Sequence, residues 1–481
     1  MSRIVRICAC VVAALIFSPV DLVHAAPYPT FQEAGRQAVA TLLHVYYAGH
    51  GYWRECDRPS CPRANGDWGV DSATYALFLR WKTAHDPAIA RVAAELLAAG
   101  RRYRIPCARA SCPAWSDTPS WDAVAYMREY EILGRNPEAL RRAAEAFHYV
   151  VRSKTFVGGA CPSIPYQIPQ PSNRRVKTLE TDANAIKAAL LLYEATHDKA
   201  YLEEAVWRYA AARRYFLDPQ VPLYTVQVVD DGATCRRQDH RFFASVNGDM
   251  IWNGLALARI TKQRSYARQA IATARAVATT LADECGVFVD LGGENDVVEP
   301  LVEGMYDLAT SEHLAFAREW IIRNAAAALS ARAPDGTFSR FIDGPPQSTA
   351  SIWQSNGGLA LEIAAAALDR DGAFAARGWS DGRSYGLPLT ALPATITFEG
   401  SGIALIGTIG PTCQGEHVRV FIDGTETFDH TGLWQNYDMP EQSAVRFAWR
   451  WPVSGKHTVR LEIADGSVLG NVIELKTIVR A

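Results

Sequence analysis

The sequence predicts a mainly α protein: a closed ring of six helical hairpins, followed by a small antiparallel β-sandwich. Three observations carry that reading. A unit is used twice near the start. Cys56 to Cys61 and Pro62 precede Trp68-Gly69-Val70-Asp71 and a helical run, and Cys107 to Cys112 and Pro113 precede Trp121-Asp122 and another. Repetition of such a unit points to stacked helix pairs. From Thr30 to about Ala367, segments of helical period alternate with loops rich in Gly, Pro and Asp, and after about Pro393 the period drops to two.

Residues 1–25 read as a leader. Arg3 and Arg6 precede an apolar stretch from Ile7 to Pro19, and Val23-His24-Ala25 offers a small-x-small pattern before Ala26. That pattern is a secretory signal peptide, too short for a membrane span, and no later stretch is long and apolar enough to be one. A secreted or periplasmic, soluble monomer is expected.

Residues 27–370 then divide into six pairs. These are Phe31–Tyr47 with Asp71–Thr83, Pro87–Tyr103 with Trp121–Leu133, Pro137–Val151 with Thr181–Thr196, Lys199–Phe216 with Gly248–Thr261, Ser265–Leu281 with Pro300–Thr310, and His313–Arg332 with Ser355–Leu368. The second helix of several pairs has a small, polar-tipped start, as in Val70-Asp71, Trp121-Asp122, Thr181-Asp182, Val246-Asn247 and Ser355-Asn356. An Asp or Asn in that place is what a helix N-cap looks like. In a closed ring all inner-helix starts share one rim, so caps and site residues can be the same groups. Residues 371–393, rich in Gly, Ser, Asp and Pro, read as a linker. The sandwich is placed at 394–481, with strands at Thr395–Phe398, Gly402–Ile406, His417–Ile422, Ala444–Trp449, His457–Ile463 and Val472–Ile478.

The net charge is −2 and the basic residues are dispersed, so nucleic acid is not an expected partner. There is no Gly-x-Ser-x-Gly elbow, P-loop or His-Glu-x-x-His, which removes support for serine-hydrolase, nucleotide and zincin chemistry. No cofactor or metal is expected. Thirteen tryptophans and nineteen tyrosines in a near-neutral secreted chain suit a polysaccharide or oligosaccharide substrate. Of ten cysteines, Cys8 and Cys10 fall in the leader. The others, even in number in an oxidising compartment, read as disulfides. Cys56–Cys61 and Cys107–Cys112 are the local pairs, with Cys161–Cys235 and Cys285–Cys413 as the remainder, although spacing does not fix connectivity. Neither close pair has histidines in zinc-ligand register.

Carboxylates dominate the inner-helix starts, and glycosidic bonds are cut by two carboxyl groups, one giving a proton and the other acting as nucleophile or base. Asp122, Asp71 and Asp182 are the catalytic candidates. Trp121, Asn247, Asp249, Glu303 and Trp353 are the substrate-binding ones.

Trp121-Asp122-Ala123-Val124-Ala125-Tyr126, with the Glu129 to Leu140 segment behind it, resembles the second hairpin of glycoside hydrolase family 76, the endo-α-1,6-mannanases. Gly158-Gly159-Ala160-Cys161, Thr181-Asp182-Ala183-Asn184, Leu223 to Cys235 and Val246-Asn247-Gly248-Asp249 resemble further family motifs, in the same order. Over roughly residues 30–370 the resemblance implies an (α/α)6 barrel, a carbohydrate substrate and a nucleophile-like Asp122. It also exposes a departure. The family's catalytic pair is two consecutive aspartates, and the second position here is Ala123. Either another carboxylate (Asp71, Asp182, Asp249 or Glu303) supplies the proton, or the protein binds glycans without cutting them. A polysaccharide lyase is a third reading, for which Tyr126, Tyr166, His240 and Arg241 are available without a telling spacing. The C-terminal segment, including Gly400 to Thr412, resembles galactose-binding-like sandwich modules, with Trp434 and Tyr437 as its exposed candidates.

Overall fold

The structure is a computed structural model. It describes residues 30–66, 68–103, 117–152, 158–162, 164, 175–237, 242–289, 297–339, 341–342, 344–346, 350–372, 383–387, 393–409, 418–428, 442–463 and 475–480. The expected leader, the expected Cys107–Cys112 pair, Cys413, Tyr166, His240, Arg241, Trp434, Tyr437 and most of the expected linker lie outside them.

The helices are α1 (Phe31–Thr41), α2 (Trp68–Asp71), α3 (Ala73–Ala84), α4 (Pro87–Tyr103), α5 (Thr118–Ile132), α6 (Pro137–Arg152), α7 (Leu179–Thr196), α8 (Lys199–Tyr215), α9 (Ala244–Thr261), α10 (Arg264–Thr280), α11 (Glu299–Thr310), α12 (Ala315–Ala331) and α13 (Ile352–Leu368). The pair α2/α3 with α5, α7, α9, α11 and α13 forms the inner ring. Each inner helix packs on the next, and α13 closes the circle by packing on both α3 and α1. The inner helices are buried on every side: all residues of α5 from Thr118 to Tyr130 are covered, as expected of helices without a polar face. The outer helices bury one stripe each: alanine-rich in α6 (Ala139, Ala143, Ala146 and Val150) and α10, and aliphatic in α4 (Ile89, Val92, Ala93, Leu96 and Leu97).

Loop lengths decide which end of the barrel carries a site. Inner helices hand over to their outer partners through turns of a few residues, and His85, Arg135, His197, Lys262 and His313 take the left-handed conformation there. The long connections all return to inner-helix N-termini, so that rim carries the loops. At one place the ring is unusually tight. A Cβ on Gly248 of α9 would stand 2.2 Å from the Leu301 backbone nitrogen of α11, so only glycine allows this approach.

Ring closure is stapled by the first cysteine loop. After β1 (Tyr47–Gly49), β2 (Tyr52–Arg54) and β3 (Arg63–Ala64), the Cys56–Cys61 disulfide bounds a loop that pairs with the start of α13. Ile352 N–H donates to Glu55 O at 3.0 Å and Asp57 N–H to Ala350 O at 3.1 Å, while Ala350 N–H donates to the Asp57 carboxylate at 2.9 Å. A second disulfide, Cys161–Cys235, ties the Gly158–Gly159 loop to the three-stranded sheet formed by β4 (Val176–Thr178), β5 (Gln227–Asp230) and β6 (Cys235–Arg237). Asp230 fills that loop, accepting from the backbone of Ala160 and Cys161 and pairing with Lys177 at 3.0 Å.

The C-terminal part is one antiparallel sheet among the described residues: β7 (Arg383–Leu387), β8 (Ala394–Ile409), β9 (Val418–Ile422), β10 (Thr425–Phe428), β11 (Gln442–Ile463) and β12 (Leu475–Arg480), in the order β10-β9-β11-β8-β12-β7. Four of the expected strands merge into two long ones. Ser454-Gly455, which falls between two of the expected strands, is an irregularity inside β11, where the register shifts between Arg450 and Gly455 while the ladder to β8 continues. The sheet buries Phe398, Leu405, Phe447 and Trp449 in a core that includes Val289 and Phe341 of the barrel. Arg450 donates to Ser330 Oγ at 3.1 Å.

Candidate active site

The Cα–Cβ bonds of a helix tilt toward its N-terminus, so side chains in the first turns of the six inner helices aim at the loop-bearing rim. Trp68 and Trp353 lie there with ring centroids 5.9 Å apart. Trp121 of α5 meets the edge of Tyr75 of α3 at 5.7 Å. These rings, with Val246 and Val297, belong to one buried cluster and its border.

One to two turns down, charged side chains fill the axis. Lys187 of α7 donates to Asp249 of α9 at 2.9 Å and to Glu303 of α11 at 2.5 Å. Tyr75 donates to Asp249 at 3.1 Å. Arg128 of α5 reaches across to Glu303, and its guanidinium lies 3.9 Å from the ring centre of Phe78. Two cations and two anions therefore cancel inside the apolar ring, which is the condition for burying them. Burial raises the Glu303 pKa, but Arg128 and Lys187 outweigh it and hold the carboxyl at about 2. Asp249 is raised, because burial exceeds the pull of Lys187. Burial, followed by Asp249 and Glu303, pushes the Tyr75 phenol well above its usual range.

This network shows which helix faces look inward. Helical residues advance by about 100° each, so Glu299 lies one turn above Glu303 on the same face of α11, and Asp71 one turn above Tyr75 across the α2/α3 break. Trp121 lies two turns above Arg128. Asp122 is the next residue after Trp121, fully buried, on the flank leading down to Tyr126, whose hydroxyl donates to Gly100 O at 3.3 Å.

Two expected site residues are placed elsewhere. Asp182 turns to the outer wall, where Arg208 of α8 pairs with it at 2.5 Å. Burial still raises its pKa to about 6, against the pull of Arg208. Asn247 is spent on the backbone: its Nδ2 donates to Tyr224 O at 3.0 Å and Phe243 O at 2.8 Å, and its Oδ1 accepts from Tyr224 N at 2.8 Å. It sews the 223–226 segment to the mouth of α9. Asp71, Trp121, Asp249, Glu303 and Trp353 are gathered by the inner ring.

Glu299 was not singled out in the sequence. It is the first residue of α11 and is buried, with its carboxyl facing Ser72 at the α2–α3 break and Asn356 of α13, and burial pushes it up to about 8 against the hydrogen bonds of those two side chains. Its Glu-Pro context reads as an ordinary helix start. Lys187 and Arg128 were also passed over, yet a lone cation in a run such as Ala185 to Leu192 is the signal of a buried partner.

The helices close into a six-hairpin (α/α)6 barrel. No protein-family model and no curated protein matches the chain, but solved structures of family 76 share its fold. One is an inactive variant of an α-1,6-mannanase from Salegentibacter sp. HEL1_6, with two consecutive aspartates changed to asparagine, in complex with α-1,6-mannotriose. It is 18% identical, with a TM-score of 0.59 over 70% of this chain and 100% of that one. A family 76 α-mannanase of Bacteroides thetaiotaomicron is 15% identical, with a TM-score of 0.59 over 70% and 96%. A protein from Listeria innocua is 16% identical, with a TM-score of 0.61 over 72% and 100%. The likeness covers the barrel and is one of fold.

Proposed function

We propose that the chain is a secreted glycoside hydrolase acting on an α-mannan, with Asp122 as the carboxylate on which cleavage depends. One observation supports the reading: the inner-helix starts of a barrel that shares its fold with α-1,6-mannanases carry Asp71, Asp122 and Glu299 in sequence positions next to Trp68, Trp121 and, on α13, Trp353. Carboxyl groups supply the acid and the nucleophile or base of glycoside hydrolysis, and indole rings supply flat apolar faces for sugars. The two disulfides suit an oxidising compartment, and no helix among the described residues is long and apolar enough to cross a membrane.

A second reading, glycan binding without cleavage, is favoured by Ala123. It occupies the second place of the aspartate pair and is buried against the aromatic cluster. One assay separates the two: incubation with α-1,6-mannotetraose, followed by chromatography of the products. Shorter mannosides support the hydrolase. Intact tetraose, with binding detected by calorimetry, supports the binding protein, and neither cleavage nor binding removes both.

A further inference from the structure

The C-terminal sheet meets the barrel at three places, all at the loop-bearing end. Val289 lies in the connection from α10 to α11, and Phe341 and Gly344 lie in the connection from α12 to α13. Val289 and Phe341 share one buried core with Leu405, Val445, Phe447 and Trp449 of the sheet. The Phe341 ring stands edge-on to Phe447, with centroids 6.4 Å apart. A Cβ on Gly344 would stand 2.9 Å from Val445 Cγ1, so β11 lies directly on this connection. At the third place Arg450 is buried and donates to Ser330 Oγ at 3.1 Å, one residue before the end of α12. Units that swing on one another meet through small polar interfaces, whereas a continuous apolar core fixes their placement. The α12–α13 connection carries the contact inward. Phe338 N–H donates to Ser355 Oγ at 3.0 Å, in the first turn of α13, and Phe341 follows in the core of the sheet. The chain then reaches Ala350, held by Asp57, and Trp353, which meets Trp68 at 5.9 Å. The first turn of α13 therefore has two supports, the cysteine loop and the sheet.

We propose that the C-terminal sheet is a brace of the rim. Through Val445, Phe447 and Arg450 it holds the α12–α13 connection, and so sets Trp353 against Trp68 for sugar binding. These three are positioning residues and touch no sugar. The sugar-binding half rests on the reading given under Proposed function, and the mechanical half does not. With the sheet's contacts removed, the connection opens locally at a lower free energy, and the first turn of α13 opens with it.

The test compares the full chain with Phe447→Ala, which removes the ring against Phe341, and with Phe398→Ala as a control. Phe398 is also buried in the sheet, but its ring meets Trp451 and His457. Hydrogen exchange is read well below the melting temperature at the amides of Ile352 and Ser355, which are bonded to Glu55 O and Ser351 O. Affinity for α-1,6-mannotriose is measured on the same samples. Expected for Phe447→Ala is exchange about tenfold faster at both amides and affinity lower by about fivefold. Phe398→Ala should change neither. Unchanged exchange at Ile352 and Ser355 in Phe447→Ala, or an equal rise in both variants, overturns the brace. Faster exchange with wild-type affinity overturns its part in sugar binding. Should Phe447→Ala fail to fold, Arg450→Met, which removes the bond to Ser330, is read in the same way. A wild type that leaves mannotriose unbound sinks the sugar reading alone, and the exchange comparison still decides the brace.

Discussion

Lys187 Nζ lies 2.5 Å from Glu303 Oε2, a pair fully enclosed by the inner ring and joining two helices that are not neighbours in it. The same ammonium holds Asp249, so one lysine neutralises carboxylates from two helices. Removing it leaves buried anions with too few partners. Lys187→Met is expected to lower unfolding stability by about 3–5 kcal/mol, measured by urea denaturation. A loss below about 1 kcal/mol would mean that the axis is wetter than the packing indicates.

Stability should fall as pH rises from mildly acidic to mildly alkaline. Glu299 and Glu362 are both raised by burial from the usual 4.5 to about 8. The stability such groups contribute is complete below 4.5, declines as the unfolded chain ionises, and is gone above 8. Each adds a slope of up to about 1.4 kcal/mol per pH unit. Glu303, held at about 2, acts in the opposite sense, but only in acid: its contribution is complete above 4.5 and lost as pH falls through 2. Melting temperatures at pH 5 and pH 8 report the difference. Glu362 sits beside Arg332 at the end of α12, 3.9 Å away, and Glu362→Gln should flatten the profile. A melting temperature that climbs toward pH 8 contradicts these assignments.

The Cys56–Cys61 loop should matter more to the site than to the fold. A disulfide spanning five residues constrains the unfolded chain by about 2 kcal/mol. The loop it shapes, however, holds the start of α13 and so the place of Trp353 against Trp68. Replacing both cysteines by serine is expected to lower the melting temperature by a few degrees and to weaken mannotriose binding at least tenfold. Wild-type affinity in the variant would show that the loop is only a staple.

The order of hairpins and the Cys56–Cys61 loop were legible in the sequence because local period and close cysteine spacing carry them, whereas Cys161–Cys235, 74 residues apart, is a pairing that spacing does not fix. The inward-facing sides of the inner helices were not legible. A helix buried all round has no amphipathic stripe, so nothing in the α7 or α9 text marks Asp182 and Asn247 as turned outward, toward Arg208 and Tyr224. Nor does it mark Lys187 and Asp249 as turned to the axis. Those orientations are set by partners on other helices. The two long strands β8 and β11 were read as four for a related reason: Gly400 and Ser454-Gly455 carry turn chemistry, but cross-strand pairing carries the ladder past them.

The most direct measurement is the turnover of α-1,6-mannotetraose by wild type and Asp122→Asn, with binding of the same sugar measured on both. The substitution removes the charge and keeps the shape. Cleavage by the wild type, a loss of about 10³-fold or more in the variant, and affinities within a few-fold of one another are the predicted result. Undiminished cleavage by Asp122→Asn, or a wild type that binds mannotetraose and leaves it whole, would contradict the account.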